Sequence, residues 1–220
     1  MNTEKTFKQA FAPDPPAQDH PSVARPSAAE RSPTERSPAR SDLSRFNNAW
    51  YHPGPRWKIL LWYFINAGLF NSYAPVPSGL KVRLLRWFGA TVGQGVVLKP
   101  AVNIKYPWLL SIGNHVWIGE NVWIDNLAEV TLGDHVCLSQ GAMLLTGNHN
   151  YKVPTFDLII GAITLEAGAW IGAKATVCPG VRVGSHAILS VGSVATRTLD
   201  PYTIYQGNPA VAVRKRTIEP

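Results

Sequence analysis

The stretch Ile112-Gly113-Asn114-His115-Val116-Trp117-Ile118-Gly119-Glu120-Asn121-Val122-Trp123-Ile124 sets an aliphatic residue at every sixth position, with glycine directly behind Ile112 and Ile118. The spacing continues in both directions. Val92, Leu98 and Ile104 precede it; Leu132, Leu138 and Leu144 follow, then Leu165, Ile171 and Val177, then Val183 and Leu189, with Ala195 as a weak last member. An α-helix repeats every 3.6 residues and an ordinary strand every 2, so neither gives a strict period of six. A coil of three short strands does. Each hexapeptide then forms one flat face of a triangular prism, the aliphatic side chain points into the axis, and glycine or a small polar residue allows the tight corner. Coils stack at about 4.8 Å, the spacing of hydrogen-bonded strands. The sequence therefore predicts an all-β solenoid with coils starting at positions 92, 112, 132, 165 and 183. The step from 132 to 165 carries about 15 extra residues, which must leave the prism as a loop near 145–160.

Either side of the repeat the chain changes character. Residues 1–45 are rich in Pro, Ala, Ser and Arg and hold almost no large apolar side chain, so a disordered tail is predicted there. Seven Lys and Arg face six Asp and Glu in that span, which leaves 14 against 8 in the remainder of the 21 and 14 in the chain. The tail is thus no basic nucleic-acid arm, although the formal net charge is +7. Residues 46–90 read as an apolar and basic helical lead-in. From Leu43 to Gly119 there is no Asp or Glu, while Arg45, Arg56, Lys58, Lys81, Arg83, Arg86, Lys99 and Lys105 stand among many aromatics. The stretch from Trp57 to Phe70 is apolar for about 14 residues, short of the roughly 20 that cross a bilayer. A helix here either lies in the headgroup region of an anionic membrane or packs on the main domain or a neighbouring subunit. A second helix is expected from about Ser78 to Phe88, with Leu80, Leu84, Leu85 and Phe88 on one side, Lys81 and Arg86 away from it, and Gly89 as its stop.

Several function classes fall away. The chain has two cysteines, Cys137 and Cys178, and no charged start followed by an apolar stretch and a small-residue cleavage site, so a reducing cytoplasm is expected rather than a disulfide framework. Zinc-module spacings, the phosphate loop and the three-glycine dinucleotide fingerprint are all missing, which disfavours phosphate-loop kinases and Rossmann dehydrogenases.

The hexapeptide pattern from Val92 to Ala195, the protruding Leu145-Thr146-Gly147-Asn148-His149-Asn150-Tyr151, the following Gly168-Ala169-Trp170-Ile171-Gly172-Ala173 and the late Gly207-Asn208-Pro209-Ala210 resemble the left-handed β-helix acyltransferases. Within them the chain is most similar to the colanic-acid-type exopolysaccharide acetyltransferases, over residues 46–216. The resemblance implies a left-handed parallel β-helix over 91–200, short helices before it and a C-terminal extension over 201–220. It also implies a homotrimer that uses acetyl-CoA to acetylate a sugar hydroxyl.

An alcohol attacking a thioester must lose its proton, and histidine is the side chain best suited to take it near neutral pH. Of six histidines, His20 lies in the tail and His52 precedes Pro53. His115, His135 and His186 share one corner slot, behind Gly113-Asn114, Gly133-Asp134 and Gly184-Ser185, and turn chemistry accounts for them. His149 alone stands in the inserted loop, where the resemblance implies the catalytic base. A zinc enzyme of the carbonic anhydrase type, also built on this fold, needs a second histidine close by in the loop; none is there, so no metal is expected. Asp125 and Asn126 end the coil beneath the loop. The resemblance implies that they face the acceptor sugar, while their residue types fit a corner turn equally well. Asn148 either shapes the loop or touches the acceptor, and Lys152 and Asp157 are weaker candidates.

Coenzyme A needs an apolar groove with cations near one end. The resemblance places Trp170, Gly172 and Ala173 along the pantetheine arm and Arg197 and Arg214 at the phosphates. Cys137 and Cys178 lie outside the loop and read as small packing residues, so direct transfer in a ternary complex is expected. A sugar, free or lipid-linked, is the expected acceptor, and residues 50–88 are the candidate for any peripheral contact with the inner membrane. Serine, galactoside or antibiotic acceptors, and a non-catalytic trimeric scaffold, are the alternatives. A nucleic-acid partner is disfavoured because the basic excess has no recognisable binding motif and sits beside aliphatic residues.

Overall fold

A computed structural model describes residues 39–219, so the predicted tail lies outside the described residues up to position 38. From Thr91 the chain winds through strands of two or three residues that stack into three parallel sheets, the faces of a left-handed parallel β-helix. Face A stacks Thr91–Val92, Leu110–Ile112, Val130–Leu132, Ile163–Leu165 and Arg182–Val183. Face B stacks Val97–Leu98, Trp117–Ile118, Cys137–Leu138, Trp170–Ile171, Ile188–Leu189 and Thr203–Gly207, and Ala210–Lys215 closes it in antiparallel. Face C stacks Asn103–Ile104, Trp123–Asp125, Met143–Leu145, Thr176–Val177 and Val194–Ala195. The register sets each predicted aliphatic on its counterpart: Val92 on Ile112, Ile112 on Leu132, Leu132 on Leu165, Leu165 on Val183.

Every aliphatic of the six-residue series is buried, Ala195 included. A second buried series runs two residues ahead of it, through Val96, Val102, Val116, Val122, Val136, Ala142, Ala169, Ala175, Val181 and Ala187. The two rows fill the axis at every level, and their burial supplies most of the apolar driving force of the fold.

The glycines behind the aliphatics do a different job from the predicted one. A Cβ at Gly113 would stand 2.7 Å from the Asp134 backbone nitrogen, and at Gly172 2.6 Å from that of Val191, so glycine is there because the next coil passes too close for a side chain. The left-handed backbone that turns the corner falls two residues later, at Gly95 and Gly168 and at His115, His135 and His186, whose φ angles are 56°, 58° and 57°. Asn114 and Asp134 stitch this corner between coils, the Asp134 carboxylate accepting from the Asn114 backbone at 2.7 Å, which holds its pKa below the usual value.

The lead-in closes one end of the prism. Helix α1, Arg56–Ile65, starts behind Pro55 and runs into a wider turn at Asn66–Phe70; helix α2, Ser78–Trp87, starts behind Pro77 and ends at Gly89, whose φ is +98°. Trp62 is the plug. It is buried between Phe70 and Phe88, ring centroids 5.0 and 5.1 Å away, and its Nε1 donates to the Ile104 carbonyl at 2.7 Å. The expected faces of α2 need correction: Leu80 is 46% exposed, whereas Lys81 is 1% exposed. The Lys81 ammonium donates to the Lys99 carbonyl at 3.0 Å and lies over the Phe70 ring, and burial lowers its pKa. A long stem and a reachable carbonyl let a lysine fill that place. Ordered structure also begins inside the span read as tail: Leu43–Arg45 form a short 3₁₀ turn and the Asp42 amide donates to the Pro154 carbonyl at 2.8 Å.

Candidate active site

Face C of the third coil ends at Leu145, and there the chain leaves the prism. Thr146, fully buried, holds the exit: its hydroxyl donates to the Asp125 carbonyl at 2.9 Å and accepts from Ala128 at 3.0 Å, while its carbonyl accepts from Gly161 at 2.8 Å. Residues 147–160 therefore project as an antiparallel ribbon tied at its root, with Gly147–His149 paired to Leu158–Ile160. The His149 ring stacks on Phe156, centroids 4.5 Å and planes 11° apart, and meets the edge of Phe46 at 5.7 Å. Its Nδ1 lies 2.8 Å from the Phe156 carbonyl oxygen. A carbonyl only accepts, so in the neutral ring Nδ1 carries the proton and Nε2 keeps the lone pair, the arrangement a general base requires.

His149 lines a cavity of about 420 Å³ together with Phe46, Tyr51, Lys105, Tyr106 and Leu158. A second cavity of about 340 Å³, walled by Ile59, Trp62 and Tyr63 of α1 and by Trp123 and Asp125, shares Lys105 and Tyr106 with the first. Between them the Lys105 ammonium meets the Asp125 carboxylate at 2.8 Å. The Tyr51 hydroxyl donates to the Leu127 carbonyl at 2.7 Å. Burial first, then the proximity of Tyr106 and Asp125, pushes its pKa far up; burial raises that of Tyr106 as well, so both remain neutral hydrogen-bonding groups.

The sequence-predicted acceptor residues divide. Asp125 lines the second cavity, but Asn126 has no exposed surface: its Oδ1 accepts from the Tyr106 amide at 3.0 Å and its Nδ2 donates to the Tyr106 carbonyl at 2.6 Å. Asn126 is therefore a corner residue, with no atom left to meet a sugar. Asn148 is exposed, and its side chain accepts from the His149 amide at 2.8 Å, shaping the strand that carries the base. Sequence reasoning missed Tyr51, Lys105, Tyr106 and Phe156. A signal existed for Lys105, because the 20-residue step of the coils puts it directly beside Asp125.

A groove of about 520 Å³ runs over the corner between faces B and C, lined by Ser139, Trp170, Gly172, Ala173, Val191 and Arg214 among others. The Trp170 indole N–H donates to the Ser139 hydroxyl at 2.9 Å, which fixes the ring along the groove. Four of the five expected coenzyme residues meet here. Arg197 does not: it is exposed on the corner between faces C and A, the same corner that carries the ribbon, and does not line the groove. Arg216 is engaged with the Gly168 and His186 carbonyls, at 3.1 and 3.0 Å. An apolar channel with Arg214 among its lining residues fits a pantetheine arm and its phosphates. Burial raises the pKa of both Cys137 and Cys178, which keeps the thiols protonated and poor as nucleophiles. Among the described residues no three His, Cys, Asp or Glu side chains cluster to hold a metal; His115 and His135 stack on each other, centroids 5.3 Å apart, along their corner.

No protein-family model matches the chain. Sequence relatives do. A protein of Escherichia coli K12 provisionally named colanic acid biosynthesis acetyltransferase WcaF is 34% identical over 176 residues, 80% of this chain and 97% of the relative. The galactoside O-acetyltransferase of the same organism is 27% identical over 149 residues, 66% of this chain and 73% of the relative. Among solved structures, a hexapeptide-repeat-containing acetyltransferase of Vibrio cholerae complexed with acetyl-coenzyme A superposes with a TM-score of 0.65 at 22% identity, over 74% of this chain and 87% of the other. A galactoside acetyltransferase in complex with coenzyme A gives 0.60 at 22% identity, over 73% and 82%. At those identities the superpositions speak for the shared fold. A relative more than 30% identical across four fifths of the sequence settles the placement: the chain belongs to the hexapeptide-repeat acetyltransferase family.

Proposed function

We propose that the protein transfers the acetyl group of acetyl-coenzyme A to a hydroxyl of a sugar in exopolysaccharide biosynthesis, with His149 as general base. The observation that carries this is the Nδ1 contact of His149 with the Phe156 carbonyl, which leaves Nε2 as the proton acceptor beside a cavity. The names of the two E. coli relatives support a sugar acceptor, and that of the first supports an exopolysaccharide. Nε2 takes the proton of the acceptor hydroxyl as its oxygen attacks the thioester carbonyl carbon. The carbon–sulfur bond then breaks, and the proton passes to the departing sulfur, giving an ester and free coenzyme A. Asp125, through the carboxylate oxygen that Lys105 does not engage, accepts from a neighbouring hydroxyl and orients the sugar.

The base and the groove share no lining residue and sit on different corners of the prism. We infer a homotrimer in which the ribbon of one subunit meets the groove of the next, so that His149 and Arg197 come from one chain and Trp170 and Arg214 from its neighbour. Exposed Trp117 and Trp123 on the prism faces are the side chains such packing would cover. In this reading the acceptor is a sugar at the cytoplasmic membrane surface, with residues 50–88 as the point of contact. No helix among the described residues is long and apolar enough to cross a membrane.

The test is thiol release from acetyl-coenzyme A by purified protein over a panel of sugars, nucleotide sugars and lipid-linked sugars. Release that depends on one sugar class establishes the reading. Release with serine or an antibiotic alone would move it to another acceptor, and neither coenzyme binding nor release would leave a scaffold.

A further inference from the structure

Apart from Arg56 and Lys58, helix α1 is apolar around its circumference, yet the prism covers only one side of it. Trp62 is 1% exposed and turned into the core, whereas Trp57, Leu60, Leu61 and Phe64, spaced i, i+3, i+4 and i+7 on the opposite side, are 68, 59, 42 and 64% exposed. A helix that is hydrophobic all round needs an apolar neighbour on both sides. On α2, Leu80 and Trp87 are exposed as well. The segment that builds this surface carries charge of one sign: no acid occurs from Leu43 to Gly119, and Arg56 and Arg83 are exposed at α1 and α2. With ten residues, α1 is too short to span a bilayer and long enough to lie in its headgroup layer.

We propose that the outer face of α1, flanked by Arg56 and Arg83, docks on an anionic lipid bilayer. Aromatic and aliphatic side chains enter the boundary between headgroups and acyl chains, and the arginines meet lipid phosphates. Charge complementarity favours this occupant over a second copy of the chain, whose corresponding face would bring like charges together. The inner side of the same helix walls the second cavity, which shares Lys105 and Tyr106 with the one that His149 lines. A docked helix therefore holds that cavity against the membrane surface, and the acceptor class becomes a sugar on a lipid carrier. Docking rests on the surface alone; the lipid-linked acceptor rests in addition on the acetyltransferase reading.

The experiment is flotation of the full chain with vesicles of phosphatidylcholine alone or mixed with phosphatidylglycerol, at low and high salt. The protein should float with the mixed vesicles at low salt, at least about tenfold less with neutral ones, and less again as salt screens the arginines. The double variant Leu60→Glu/Phe64→Glu should lose flotation while keeping coenzyme binding and subunit number. Arg56→Glu/Arg83→Glu, at exposed positions that leave packing untouched, should do the same. No binding to mixed vesicles by the wild type overturns the proposal, as does a double variant that still floats or that changes the subunit number, which would assign the face to contact between copies. Flotation requires no acetyl transfer, so its failure is distinct from failure of the His149 reading.

Discussion

Residues 126–129 and 146–162 occupy the same corner of the prism, one coil apart, and are built in opposite ways. The first is a four-residue turn in which Asn126 is fully buried and held at both its amide oxygen and its amide nitrogen by the backbone of Tyr106. The second carries its own antiparallel pairing, so its backbone needs nothing from the coils beyond the clasp at Thr146. That independence frees a side chain: His149 uses one ring nitrogen to fix itself and, on the proposed reading, keeps the other for the acceptor hydroxyl. The histidines of the regular corners teach the same contrast. His115 and His135 turn the chain at positive φ and stack on each other, occupied by the repeat itself. On the proposed reading the base stands where the repeat is broken, because the regular corners hold Asn126, His115 and His135 in contacts of the fold itself.

Excising the ribbon is the harshest way to break this comparison. Thr146 and Gly161 are already hydrogen-bonded, so replacing 147–160 by one glycine should leave a prism that still unfolds cooperatively by circular dichroism, with thiol release reduced to background. Loss of folding along with activity would show the ribbon to be structural. In the coils the balance should invert. Leu144→Ala empties a fully buried axial position and should cost about 2–5 kcal/mol in denaturant unfolding, with turnover per folded molecule unchanged.

Much of this architecture is legible in the order of the amino acids. The period of six locates one of the two buried rows, and the row two residues ahead of it, Val96, Val116 and Val136 among them, shows only in the structure. His149 stands out because it alone among the histidines of the repeat leaves the corner slot. Other features are hidden. Lys81 reads as surface and is buried, since its reach to the Lys99 carbonyl depends on how α2 sits on the first coil. Arg197, which the resemblance implies at the phosphates, lies on another corner of its own chain than the groove, since a six-residue period does not say which corners meet across subunits. Asn126 fits two roles by residue type, and its burial decides between them.

Smaller effects sharpen the same contrast. Trp170→Ala should raise KM for acetyl-coenzyme A about tenfold, roughly 1.4 kcal/mol, and leave kcat nearly unchanged, because the indole lines the groove and stands apart from the base. His135→Asn should shift stability by less than about 1 kcal/mol and leave activity alone, since asparagine tolerates the left-handed backbone found there. A large loss of turnover in His135→Asn would mean that the corner histidines are more than turns.

The central claim is that the proton acceptor is Nε2 of His149, and His149→Ala tests it most directly when acetyl transfer and coenzyme binding are measured on one preparation. The account predicts a fall in kcat of about 10²–10⁴-fold with coenzyme affinity and thermal unfolding unchanged. Retained turnover in a folded, coenzyme-binding variant would contradict it.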